Sequence, residues 1–148
     1  MRMSRLAVAA ITGAAMLGAS GLLHAQNAKR SIWSGVYTAA QVARGKADYT
    51  DNCSRCHGSD LGGLDEIPAL QGPQFMVDFD GSTIASLVNR IHTTMPMDNP
   101  GHLNMATTTD IVAFLLQSNH VPVGSSELPS DPPSQGLIQF SASDPNAK

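Results

Sequence analysis

The sequence predicts an all-α domain of three to four short helices joined by long loops. Apolar residues recur at helical spacing, with hydroxyl residues placed to cap the runs. No stretch shows the alternation of a half-buried strand. The third observation concerns the core. The chain has 148 residues, enough for one domain, yet it holds only one Trp, two Tyr and four Phe. So few large side chains make a thin core for a small domain, and something besides side chains is expected to fill it.

The first 25 residues read as a secretory signal peptide. Arg2 and Arg5 give a positive start, Leu6 to Leu23 is uncharged and apolar or small, and Leu23-His24-Ala25 offers a cleavage site with Ala in the last position, although Leu at minus three departs from the usual small residue. An uncleaved membrane anchor is the rival reading, because the uncharged stretch is nearly long enough to span a bilayer. Its Ala, Gly and Ser content favours removal. Residues 26–37 read as an extended lead-in, with Trp33 and Tyr37 available to pack on the domain.

The domain itself is expected over residues 38–122. Thr38 and Gln41 have capping-box spacing for a helix from Ala39 to about Asn52. Gly45 inside it costs about 1 kcal/mol relative to Ala, which suggests that another element approaches its backbone closely. Residues 58–81 are broken by Gly58, Gly62, Gly63, Pro68, Gly72, Pro73 and Gly81. They read as loops with one short helical turn from Pro73 to Val77. Ile84, Leu87, Val88 and Ile91 then form one stripe of a helix over Thr83 to His92, capped by Ser82 or Thr83. Thr93 to Met105 is irregular again. Thr107 to Asp110 has capping-box spacing for a short apolar helix from Ile111 to Gln117, ended by Asn119 and Pro122. Residues 123–148, with Pro129, Pro132, Pro133 and Pro145, are expected to form a Pro/Ser-rich flexible tail. There is no internal repeat.

Both cysteines of the chain lie in Cys53-Ser54-Arg55-Cys56-His57. C-x-x-C-H is the attachment signature of haem c. Each thiol adds to one porphyrin vinyl group, two intervening residues bring both sulfurs to one edge, and the next residue offers its imidazole to the iron. Three other readings compete: a Cys53–Cys56 disulfide in an exported protein, a thioredoxin-like redox pair, which needs a βαβ context, and a zinc site, which needs two more ligands. For a sixth iron ligand, Met95 and Met97 lie in a proline-rich loop, and a thioether opposite histidine suits electron transfer. Met76, Met105, His92 and His102 are further candidates. Arg55 and Arg90 could neutralise haem propionates, although an ordinary surface charge is the commoner role.

Over about residues 38 to 120 the sequence resembles class I c-type cytochromes. Gly45, Tyr49 and Cys53 match the family's first-helix glycine, aromatic and first haem cysteine. Pro68 matches a proline whose carbonyl accepts a hydrogen bond from the ligand histidine, here His57. Met95-Pro96 resembles the family's ligand motif, which selects Met95. Ile111 and Phe114 resemble the last-helix pair that crosses the first helix at its glycine. More narrowly, residues 32–38 and 94–101 are similar to cytochromes and haem domains associated with quinoprotein (PQQ-dependent) dehydrogenases.

The resemblance implies a class I cytochrome c fold around one covalent haem c bound by Cys53, Cys56, His57, Pro68 and Met95, with His57 and Met95 on the metal. It implies a one-electron carrier cycling Fe(III)/Fe(II), not an enzyme by itself. Its expected partners are a dehydrogenase donor, a terminal oxidase acceptor, or both. A dedicated electron-accepting subunit of a quinoprotein dehydrogenase or other respiratory complex is one alternative; a ligand-binding or sensor haem protein with an open sixth site is another. The export signal implies the periplasm, and no stable membrane insertion once it is removed. The formal charge of −3, more negative still after loss of Arg2 and Arg5, argues against nucleic acid and anionic lipid as partners. A monomer or a subunit of a hetero-complex is expected.

Overall fold

The computed structural model describes residues 29–145 and Ala147. The expected signal peptide, residues 1–25, and the first residues of the lead-in lie outside the described residues. In chain order the elements are β1 (Arg30–Ser31), a 3-10 turn (Ile32–Ser34), α1 (Ala39–Asn52), α2 (Ser54–His57), α3 (Pro73–Asp78), α4 (Ile84–Thr94), α5 (Met105–Ser118), α6 (Pro132–Gln135) and β2 (Ile138–Gln139). The architecture is the expected mostly helical one, with long connections. Among the described residues no helix is long and apolar enough to cross a membrane.

The frame is the crossing of α1 and α5. The Thr38 side chain accepts from the Gln41 amide and the Gln41 side chain accepts from the Thr38 amide, so the capping box fixes where α1 begins. A Cβ built on Gly45 would lie 1.8 Å from the carbonyl oxygen of Asp110. The two backbones touch there, and no side chain fits between them. The propensity lost at Gly45 is therefore offset by close packing of two helices. Tyr49 and Phe114 meet one turn further along, with ring centroids 5.3 Å apart. Arg44 reaches from α1 to Asp110 at 2.6 Å and to Glu127 at 2.9 Å.

α5 starts six residues earlier than its apolar run. Its cap is Asn104, whose side chain accepts from the Thr107 amide, and Thr107 to Asp110 lie inside the helix. Three consecutive threonines look like a cap region because their hydroxyls compete for backbone groups. Here Thr108 and Thr109 donate to the carbonyls of Asn104 and Met105, four residues back, and both side chains are buried. α4 begins at its expected cap, Thr83.

The segment expected to be a flexible tail packs on the domain. Leu128, Gln135, Ile138 and Phe140 are each at most 2 % exposed. Gln41 on α1 donates to the Leu128 carbonyl at 3.0 Å and accepts from the Leu128 amide at 2.7 Å. Phe140 joins Phe75 and Phe79 in an aromatic cluster. β2 pairs in parallel with β1, Arg30 opposite Ile138 and Ser31 opposite Gln139. Strands were not expected, and these are two residues long. The lead-in is tied to the same place: the Trp33 indole donates to the Ser141 carbonyl at 3.0 Å. The Tyr37 hydroxyl donates to the Val121 carbonyl. Prolines deny this segment regular structure but also stiffen it, which lowers the entropy lost on docking. Its few apolar residues fill separate slots and so have no periodicity.

Candidate functional site

Cys53 closes α1 and opens α2, and Cys56 and His57 follow within that single turn. Both cysteines are free thiols, Cys53 half-buried and Cys56 exposed. Burial pushes the Cys53 thiol up to about 11, with the Asp48 carboxylate adding to the effect. That is the opposite of the depressed thiol a C-x-x-C redox pair needs. Among the described residues no three of His, Cys, Asp and Glu gather to hold a metal ion, so the zinc reading has no site.

His57 is buried, and its Nδ1 lies 3.0 Å from the carbonyl oxygen of Pro68. A carbonyl can only accept, so Nδ1 donates, and in the neutral ring the lone pair is then on Nε2. The loop that delivers Pro68 is built from short backbone turns. Gly63 donates to the His57 carbonyl at 2.9 Å, and Leu70 donates to the Leu61 carbonyl at 2.8 Å. Gly63 has φ +75°, and a Cβ there would lie 2.3 Å from the Ile67 carbonyl oxygen, so the turn requires glycine. Two side chains from the frame hold this loop in place. The Tyr49 hydroxyl donates to the Gly58 carbonyl at 2.7 Å. Asn119 accepts from the Gly72 amide at 2.8 Å and donates to the Leu70 carbonyl at 3.1 Å. Sequence reasoning saw Asn119 only as a helix stop. Its two-sided amide could have been suspected, but its partners lie nearly fifty residues away.

Met95 caps the C-terminus of α4 and is half-buried; its bond to Pro96 is cis. The rival methionines sit elsewhere. Met76 is buried in the core on α3, Met97 is 81 % exposed, and Met105 opens α5. His102 Nδ1 is bonded to the Asn99 carbonyl at 2.9 Å. His92, one turn before Met95, has a buried Nδ1 without a hydrogen-bond partner. Arg90 lies over the Phe79 ring, 6.0 Å from its centroid. Arg55 is 2.5 Å from Asp98, an ion pair the sequence did not reveal. The Arg55 hydrogen bond holds the Asp98 carboxyl below the usual carboxylate range.

Residues 40–115 match the family described as cytochrome c oxidase, cbb3-type, subunit III. The chain belongs to this family and is a class I c-type cytochrome. Among solved structures it is similar to a chain of the sulfane dehydrogenase SoxCD from Paracoccus pantotrophus, with 29 % identity and a TM-score of 0.45. That match covers 72 % of this cytochrome and 60 % of the other chain, so the cytochrome spans about three-fifths of its neighbour's length. No curated protein matches it.

Membership in the family implies a covalently bound haem c and a role in electron transfer. The residues present fit that group. Two free thiols flank one helical turn, and the adjacent buried imidazole is fixed in the tautomer that offers Nε2 to a metal. When bound, haem supplies a one-electron Fe(III)/Fe(II) couple. The chain's own part would be to hold that group at Cys53 and Cys56 and to orient His57.

Proposed function

We propose that this cytochrome is an exported one-electron carrier that holds one haem c through Cys53 and Cys56, with His57 and Met95 as axial ligands. The His57–Pro68 hydrogen bond carries the reading. It sets the ring orientation and makes Nε2 the better donor, which is what an iron ligand requires and a surface histidine does not. Met95 is favoured among the methionines because Met76 is already used in the core and Met97 is turned to solvent. A thioether in the sixth position excludes small ligands and keeps coordination unchanged between oxidation states, so little reorganisation opposes transfer. The positive start of the chain at Arg2 and Arg5, followed by the apolar run to Leu23, supports export to the periplasm.

Met95→Ala tests the ligation. The oxidised variant is expected to lose the weak near-red band of thioether-ligated haem, to fall in reduction potential and to bind carbon monoxide when reduced. An unchanged spectrum and potential would show that Met95 is not the ligand. If instead the unaltered protein binds carbon monoxide readily, its sixth site is open and a sensing role replaces the carrier. The family's description also favours a second reading, in which the cytochrome is a subunit of a respiratory oxidoreductase. Copurification with a larger oxidase or dehydrogenase, whose substrate reduces it, would select that reading over a free shuttle. Recovery in the cytoplasmic rather than the periplasmic fraction of cells would overturn export.

A further inference from the structure

We propose that Arg55 and Asp98 are positioning residues, an ionic latch that holds the Met95 segment against the cysteine-bearing turn and so keeps the sixth iron position closed. The inference rests on the reading of Met95 as ligand and adds a control on it. Its basis is how residues 95–103 are held. The Met95 amide donates to Ile91, ending α4, the Asn99 amide to Pro96, and His102 is bonded to Asn99. All of these bonds are local. Leu103, buried, anchors the far end of the segment. Among the described residues, the bond from Arg55 Nη2 to Asp98 Oδ2 is the one hydrogen bond or ion pair that ties this segment to another part of the molecule, across 43 positions of sequence.

The two ends of the latch lie beside the residues that would hold the haem on either side. Arg55 lies between the two cysteines and two residues before His57; Asp98 lies three residues after Met95. A displacement of the segment that breaks the pair therefore also moves the thioether relative to α2. The ion pairs from Arg44 to Asp110 and Glu127 join α1 to α5 and the C-terminal segment and do not touch the site. The side chains of Arg55 and Asp98 are 78 % and 61 % exposed. Such a pair is weak and screened by salt, so it biases the segment between closed and open positions and does not lock it.

The test uses the full-length oxidised holoprotein and imidazole as a competing sixth ligand, followed by the shift of the main haem absorbance and by the near-red thioether band. Asp98→Asn lies outside the attachment motif and carries the test even if Arg55→Gln lowers haem incorporation. At low salt each variant is expected to bind imidazole about two- to fivefold more tightly than the unaltered protein. The double variant should gain no more than either single one, and Arg55→Lys should retain most of the native behaviour. Raising the ionic strength should increase imidazole affinity in the unaltered protein and leave Asp98→Asn nearly flat, a response that a merely structural role would not give. Native imidazole affinity in Asp98→Asn at low salt, or additive single effects, would overturn the latch. Met95→Ala in the same assay separates the two readings. If its near-red band is lost while Asp98→Asn behaves as the unaltered protein, the latch alone fails; if the band survives, the ligand assignment fails and the latch with it.

Discussion

The α1–α5 crossing with its C-terminal strap and the segments around the cysteines are held together in different ways. In the frame, distant parts of the sequence close on one another: Gly45 against the Asp110 backbone, Gln41 around Leu128, and Phe140 against Phe75 and Phe79. Around the site, residues 58–72 and 95–103 keep their shape mostly through local backbone turns, with Tyr49, Asn119 and Arg55 as the outside restraints. Leu64 and Met97 remain among the exposed large apolar side chains. The frame is completed by the chain's own side chains. In the proposed reading, haem would supply the further apolar mass on which the site segments close.

Removing the strap is the largest test of this contrast. Truncation after Val123 removes Leu128, Ile138 and Phe140 and strips Gln41 of both its bonds to Leu128. At about 1.5–3 kcal/mol for each large apolar side chain, the loss is on the order of 5 kcal/mol or more, comparable with the whole stability of a small domain. Thermal melts of the holoprotein should show a large fall in Tm. A truncated protein that melts within a few degrees of the full chain would show that the frame does not need the strap.

Gly45→Ala sets two magnitudes against each other. Helix propensity alone favours alanine by about 1 kcal/mol. The Cβ, however, would stand 1.8 Å from a backbone oxygen, which no rotamer change relieves, so the helices must part at a cost of about 3 kcal/mol or more. Denaturant titration should show net destabilisation; a gain in stability would mean that the crossing is looser than described. The smallest test concerns the two tyrosines, one within the frame and one reaching from it to the site. Burial pushes both Tyr37 and Tyr49 up to about 12 from an ordinary value of 10. A raised acid favours the folded state below the unfolded value, and that contribution is lost as pH rises from about 10 to about 12. Tyrosinate absorbance should therefore climb together with loss of helical circular dichroism. A tyrosine that titrates near 10 while the helices persist would break the prediction for its region.

What could be read in the sequence follows the same division. Helices with periodic apolar faces and proper caps, α1 and α4, were legible nearly to the residue. The cost of Gly45 pointed to the helix crossing before any contact was known. The cysteines and His57 stand out in the sequence because the proposed covalent attachment would fix their spacing. The start of α5 was hidden by buried threonines that satisfy their hydroxyls on their own helix. The strap was hidden because Leu128, Ile138 and Phe140 fill single slots separated by prolines, a pattern with no period. The Arg55–Asp98 pair was hidden because an exposed charge carries no local sign of its distant partner.

The parallel pairing of β1 with β2 has a consequence for how the chain assembles. Trp33 and Ser141, joined beside that pairing, are 108 residues apart. A polypeptide made from its amino end exposes Ile32, Val36 and Tyr37 long before the residues that cover them exist. Contacts of such range slow the search for the native state. The domain can therefore finish folding only after synthesis has passed Ser141, whatever the earlier helices have already formed.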